Sequence, residues 1–152
     1  MHYLVLVAVI VLTGCASTFH VPSSGTDFTL DSCTPLPNCV SSTSSIFLYQ
    51  VDPIQLTHTL DEVTWEKIKS VVVGLEGASV NHFRLGYLDI TCFSKVFSFP
   101  DYLEILVSED RKSLDVRSQS LIGLYDFGVN RRRVETLTRE LVGLGLAKSV
   151  AE

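Results

Sequence analysis

Three consecutive arginines, Arg131, Arg132 and Arg133, form the densest cationic group in the chain. The recurrence of Val134, Leu137, Leu141 and Leu144 predicts a helix over about 130–146, with Asn130 as its N-cap and Val129 and Val134 as a hydrophobic staple. The arginines then fall in its first turn, where the macrodipole disfavours each cation by about 0.3–1 kcal/mol. Something acidic has to compensate. One solution is internal pairing with Asp101, Glu104 or Asp126. The other is an external anion (a lipid phosphate, a glycan acid or a partner's carboxylate) held by guanidinium forks and free helix amides. Ser118 and Ser120 continue the alternation of Leu114 and Val116, so their hydroxyls reach the same place. Arg131, Arg132, Arg133, Asn130, Ser118, Ser120 and Asp126 therefore make up the candidate anion or partner site. Arg117, on the other parity, is expected to pair with a carboxylate across the sheet.

Other chemistry is sparse. No Gly-x-Ser-x-Gly elbow, His-Glu-x-x-His pair or phosphate loop is present. Asp126-Phe127-Gly128 matches the kinase magnesium triplet, but no catalytic or glycine-rich loop accompanies it. A catalytic reading needs a cleft bringing His58 or His82 beside Asp126 or Ser120. The expectation is a non-catalytic protein with no catalytic residues, no metal and no cofactor. At 152 residues, 46% hydrophobic and 19% charged, the chain can bury one ordinary core. A net charge of −5 without a long basic run argues against nucleic acid as a partner.

The first residues are of another kind. Every position from Leu4 to Leu12 is apolar, and nine residues rise about 14 Å as a helix, too little for a hydrocarbon core of about 30 Å. The segment fits the apolar core of a secretory signal, although Met1-His2-Tyr3 lacks Lys and Arg. Leu12-Thr13-Gly14-Cys15 resembles the lipobox of bacterial lipoproteins. That resemblance implies cleavage before Cys15 and transfer of a diacylglyceryl group to its thiol. It also implies anchorage in the membrane through acyl chains, and Ala16, in place of an Asp, implies the outer membrane facing the periplasm. The predicted organisation is a signal peptide over 1–14, a lipidated cysteine and tether over 15–31, and one domain over 32–148. The Ser-, Thr-, Gly- and Pro-rich stretch from Ser17 to Asp31 reads as a spacer with a reach of about 20 Å. A strand docked on the domain is the alternative, because Phe19, Phe28 and Leu30 need cover.

Export places Cys33 and Cys39 in an oxidising compartment, where the two thiols can bridge. So short a ring contributes about 2 kcal/mol by chain entropy. Metal binding would need two further ligands, and only His20, His58, His82 and Cys92 remain, at no recognisable spacing. Cys92 sits in a strand-like run and reads as a small buried apolar residue.

Thr59-Leu60-Asp61-Glu62 has the form of a capping box, and Trp65, Ile68, Val72 and Leu75 follow at helical spacing until Gly74 and Gly77. A helix over about 60–74 is predicted, anchored by Trp65. From 78 to 122 the period falls towards two: Leu88, Ile90, Cys92; Leu103, Ile105, Val107; Leu114, Val116. These are half-buried strands with turns at Gly86, Pro100-Asp101 and Glu109-Asp110, close enough in sequence to pair antiparallel. The predicted fold is α+β, a two-layer arrangement of an antiparallel sheet of about four to five strands covered by two helices.

Several strings are similar to one family, the domain of unknown function 1499. They are Cys33-Thr-Pro-Leu-Pro-Asn-Cys39-Val-Ser-Ser42, then Phe99-Pro-Asp-Tyr-Leu-Glu104, and above all the run from Val116-Arg-Ser-Gln-Ser120 through Asp126-Phe-Gly-Val-Asn130 to Val134. The likeness covers roughly 30–145 in the expected order. Leu121 stands where the family commonly has Arg, and Tyr102 lies in a segment that is usually more acidic. The family carries no activity to transfer. The expected function is an envelope-anchored binding module for a partner protein or an anionic glycan or lipid. A purely structural accessory lipoprotein comes second, and an enzyme third.

Overall fold

The computed structural model describes residues 29–149. The predicted signal, Cys15 and the tether as far as Phe28 lie outside the described residues.

Strands β3 (Ala78–Arg84), β4 (Tyr87–Phe93), β5 (Pro100–Val107) and β6 (Ser113–Ser120) follow one another as an antiparallel meander. Their short connections leave no other pairing. Two shorter strands, β1 (Cys39–Ser41) and β2 (Ile54–Gln55), both lie along the far edge of β6. They satisfy backbone groups that would otherwise form an open edge. The α+β class and the antiparallel sheet stand, but the sheet has six strands rather than four to five. At three and two residues, β1 and β2 are too short to show a period.

Helix α1 (Glu62–Val73) begins after Asp61, whose carboxylate accepts from the Thr64 amide at 2.7 Å. The predicted box at Thr59 does not form. Leu60 is buried, and its amide is committed to the Arg111 carbonyl at 2.8 Å, so the chain turns helical only beyond it. Trp65, Ile68 and Val72 face inwards; the Trp65 indole donates to the Arg84 carbonyl at 2.8 Å and stacks on Phe83. The chain leaves α1 through Gly77 at φ 68°, where a Cβ would meet the Phe93 carbonyl oxygen at 2.1 Å. Only glycine fits there.

Helix α2 (Val129–Gly143) ends about three residues before the predicted 146, and its N-cap is Gly128 rather than Asn130. The turn between β4 and β5 lies over 94–99, not at Pro100-Asp101, which open β5. Proline is tolerated at a strand's first residue, where no ladder N–H is required.

Leu88, Ile90, Cys92, Leu103, Ile105, Leu114 and Val116 pave one sheet face and meet Trp65, Ile68, Val72, Val134, Leu137 and Leu141 of the two helices. A sheet with one apolar face and two helices with apolar stripes is stable as two layers. Burial exceeds the predicted half-burial, because Tyr87, Asp89, Tyr102, Glu104, Arg117 and Gln119 on the other parity are also buried.

Candidate partner-binding surface and two buried polar clusters

Most of the predicted anion site does come together, and it closes on itself. Asp126 lies just ahead of α2, with Phe127 and Gly128 both at positive φ. This bend aims its carboxylate at the amides of Gly128 and Asn130, at 2.8 and 2.9 Å. A negative charge on free N–H groups at a helix start offsets the macrodipole there. Asn130, one residue inside the helix, is wholly buried. Its amide nitrogen approaches the Asn38 carbonyl, Ser120 Oγ and Asp126 Oδ2, and its Oδ1 accepts from Ser118 Oγ at 2.7 Å. Ser118 and Ser120 reach it because they share the core-facing parity of β6.

The three arginines separate. Arg133 donates to Ser118 Oγ at 3.0 Å, to Asn130 Oδ1 at 2.6 Å and to Asp101 Oδ2 at 2.5 Å. Asp101 is buried and is the second residue of β5, so this cation has its carboxylate inside the fold. Arg131 instead donates to the carbonyls of Leu48 and Gln50, both at 3.0 Å, and Arg132 to the Phe127 carbonyl at 2.9 Å. Among the described residues neither Arg131 nor Arg132 is ion-paired. Carbonyls supply partial charge without neutralising a cation, so both remain able to meet an external carboxylate.

Arg131 also stands on the wall of a groove of about 1220 Å³ between α2 and the segment around β2. Phe47 and Leu48, 84% and 75% exposed, form one lip, and Val51, Ile54, Val134 and Val142 contribute apolar floor. Arg131, Arg139 and Lys148 outnumber Asp52 and Glu135 along it. Sequence reasoning missed this groove. The segment 46–50 carries no period, and nothing local says that Arg131 will fix it to α2.

A second cluster, also missed, occupies the sheet face away from the helices. Register places Asp89, Glu104 and Arg117 in one row across β4, β5 and β6, with Tyr102 and Gln119 paired in the next. Arg117 donates to Glu104 Oε2 at 2.7 Å, which meets the expected cross-strand pairing, and also to Gln119. Tyr87 bridges Asp89 and Glu104 at 3.1 and 3.0 Å, and Tyr102 donates to Asp89 at 2.7 Å. His82 Nδ1 lies 3.0 Å from Asp89. Burial pushes the Glu104 carboxyl up against the opposing pull of Arg117. Burial and the neighbouring carboxylates likewise push both phenols up. Arg117 Nε and Gln119 Nε2 are buried without a hydrogen-bond partner among the described residues. The sequence signal was the shared parity of Asp89, Glu104 and Arg117, but their row depends on register.

His82 therefore finds Asp89, and neither Asp126 nor Ser120, while His58 is exposed. Cys33 and Cys39 are disulfide-bonded, six residues apart, as predicted. The bridge holds the Pro-rich loop beside the end of β6, where Asn38 Nδ2 donates to the Gly123 carbonyl at 2.7 Å. Cys92 is buried and free, and burial pushes its thiol up.

Comparison with curated proteins returns no match, and comparison with solved structures returns none either. The family profile described as "Protein of unknown function (DUF1499)" matches residues 29–141, from the threshold of the disulfide loop to the last buried leucine of α2. The chain belongs to that family.

Proposed function

We propose that this protein is a lipid-anchored module of the bacterial envelope that binds a segment of a partner protein in the groove between α2 and β2, without catalysis. The carrying observation is the lip formed by Phe47 and Leu48, most of whose surface faces water, beside a guanidinium that has no carboxylate among the described residues. Side chains so exposed at the mouth of a groove are unfavourable in a solitary domain. They suit a partner that offers apolar anchors and an acidic flank, with the anchors supplying affinity and Arg131 the orientation. The lipobox-like Leu12–Cys15 supports the anchor, and the oxidised Cys33–Cys39 pair is in keeping with export. The network around Arg133 supports a structural role for that residue, so the proposed partner contact is Arg131 and not the whole cluster.

The test is a photo-crosslinking amino acid placed at Leu48 in the full chain in cells, with Val63 on the exposed side of α1 as control. A discrete adduct from position 48 that is lost on Arg131→Glu, with no adduct from 63, is the expected result. Equal capture from both positions, or none from 48, defeats the proposal. Intact mass of the purified chain checks the anchor separately, by showing whether Cys15 is amino-terminal and acylated.

A further inference from the structure

The end of the sheet where β4 turns into β5 and β6 leads into α2 is unusually apolar on its outside. Val96 and Phe97 are 80% and 72% exposed, and Leu124 and Phe127 are 71% and 78% exposed. The rings are paired: Phe97 stacks on Phe99 at 5.4 Å, and Tyr125 meets Phe127 edge-on at 4.9 Å. The two loops share one end because Asp101 is opposite Ser120 and the Leu121 amide donates to the Pro100 carbonyl at 3.0 Å. Neither loop contributes to the core cluster or to the groove by Phe47. A soluble monomer gains nothing from presenting such a tip to water.

We infer that this tip rests in the interface of a phospholipid bilayer, and the inference relies on the lipid anchor proposed above. Three observations select a bilayer. The disulfide pins Cys33 beside Cys39, next to Gln119 near the same end of the sheet, so the upstream chain is fixed to the domain close to the tip. From there to Cys15 is 18 residues (33 less 15), and a chain of that composition reaches roughly 20 Å, so an anchored Cys15 keeps this end near the membrane. The exposed side chains are Phe, Tyr, Leu and Val on two loops. Arg132, without a carboxylate among the described residues, stands beside them, and Lys95 lies there too, ion-paired with Glu76 at 3.1 Å. Aromatic side chains favour the headgroup boundary, and cations meet the phosphates there. The exposed rings belong to the loops on either side of β5 and β6, over 94–99 and 121–128, and not to a helix or strand face.

The experiment uses full-length lipoprotein in vesicles of phosphatidylethanolamine and phosphatidylglycerol carrying brominated acyl chains. Phe97→Trp and Phe127→Trp place reporters at the tip, and Val63→Trp places one on α1 as control. The expected result is about twofold quenching of the added emission at 97 and 127, relative to unbrominated vesicles, and none at 63. Vesicle-bound, acylated protein whose tip reporters escape quenching overturns the inference while leaving the anchor intact. Self-crosslinking through position 97 into a dimer overturns it in favour of a second copy. A chain shown by mass to carry no acyl group removes the anchor, and this inference falls with it.

Discussion

Asn130→Ala is the sharpest probe of whether the cluster at the start of α2 is structure or ligand site. Asn130 is wholly buried and joins Asn38, Ser120 and Asp126 through its amide nitrogen, and Ser118 and Arg133 through its oxygen. Most of these groups keep a second bond after truncation. Ser118 retains Arg133, the Asn38 carbonyl retains the Ser120 amide, and Asp126 retains two backbone amides. Arg133 retains Asp101. The Ser120 hydroxyl alone is stranded. A stranded buried hydroxyl costs about 1–3 kcal/mol, and each bond lost between satisfied partners about 1 kcal/mol or less, giving a loss of about 3 kcal/mol. About 120 described residues imply an unfolding entropy near 0.25 kcal/mol/K, so the midpoint should fall by about 12 °C. Urea denaturation and a thermal scan, both with the disulfide intact, measure this. A loss below about 1 kcal/mol refutes the structural reading. So does a parent protein that is stabilised by added phosphate in a manner abolished by Arg133→Met, which would return the cluster to ligand binding.

Two further outcomes follow from the opposite sheet face. Arg117→Met leaves Glu104 buried without its cation and should cost about 3–5 kcal/mol in urea melts at neutral pH. The deficit should shrink as pH falls, because protonation removes the unpaired charge; a deficit independent of pH would contradict the assignment. Tyr87 and Tyr102 have phenols raised above their ordinary value, so the folded state keeps protons that the unfolded chain releases above about pH 10. Their contribution is complete below that pH and is lost progressively as pH rises above it towards the raised folded-state values. Titration followed at the phenolate absorbance should show these two ionising only with unfolding, and reversible ionisation in the folded protein would be the contrary result.

Much of the architecture was legible because short-range patterns carry it. The period-two runs through Leu88–Cys92, Leu103–Val107 and Leu114–Val116 specified strands, and short connections specified their pairing. Trp65, Ile68 and Val72, then Val134, Leu137 and Leu141, specified two helices with one buried stripe each. The two half-cystines announced themselves by spacing and context. Helix starts were less legible. Thr59 and Asn130 are both good caps, but the Leu60 amide was drawn to the turn between β5 and β6 and Asn130 into a buried network, leaving Asp61 and the Asp126–Gly128 bend to begin the helices.

What the chain alone determined is the inventory: which residues are apolar at which period, which thiols can bridge, and which strings mark the family. What only the tertiary structure decided is which charges meet. Three adjacent arginines took three different partners, one carboxylate and two sets of carbonyls, because successive helical residues point about 100° apart and face different neighbours. Asp89, Glu104 and Arg117, far apart in sequence, became one buried row because a strand's register sets cross-strand neighbours that no local pattern encodes.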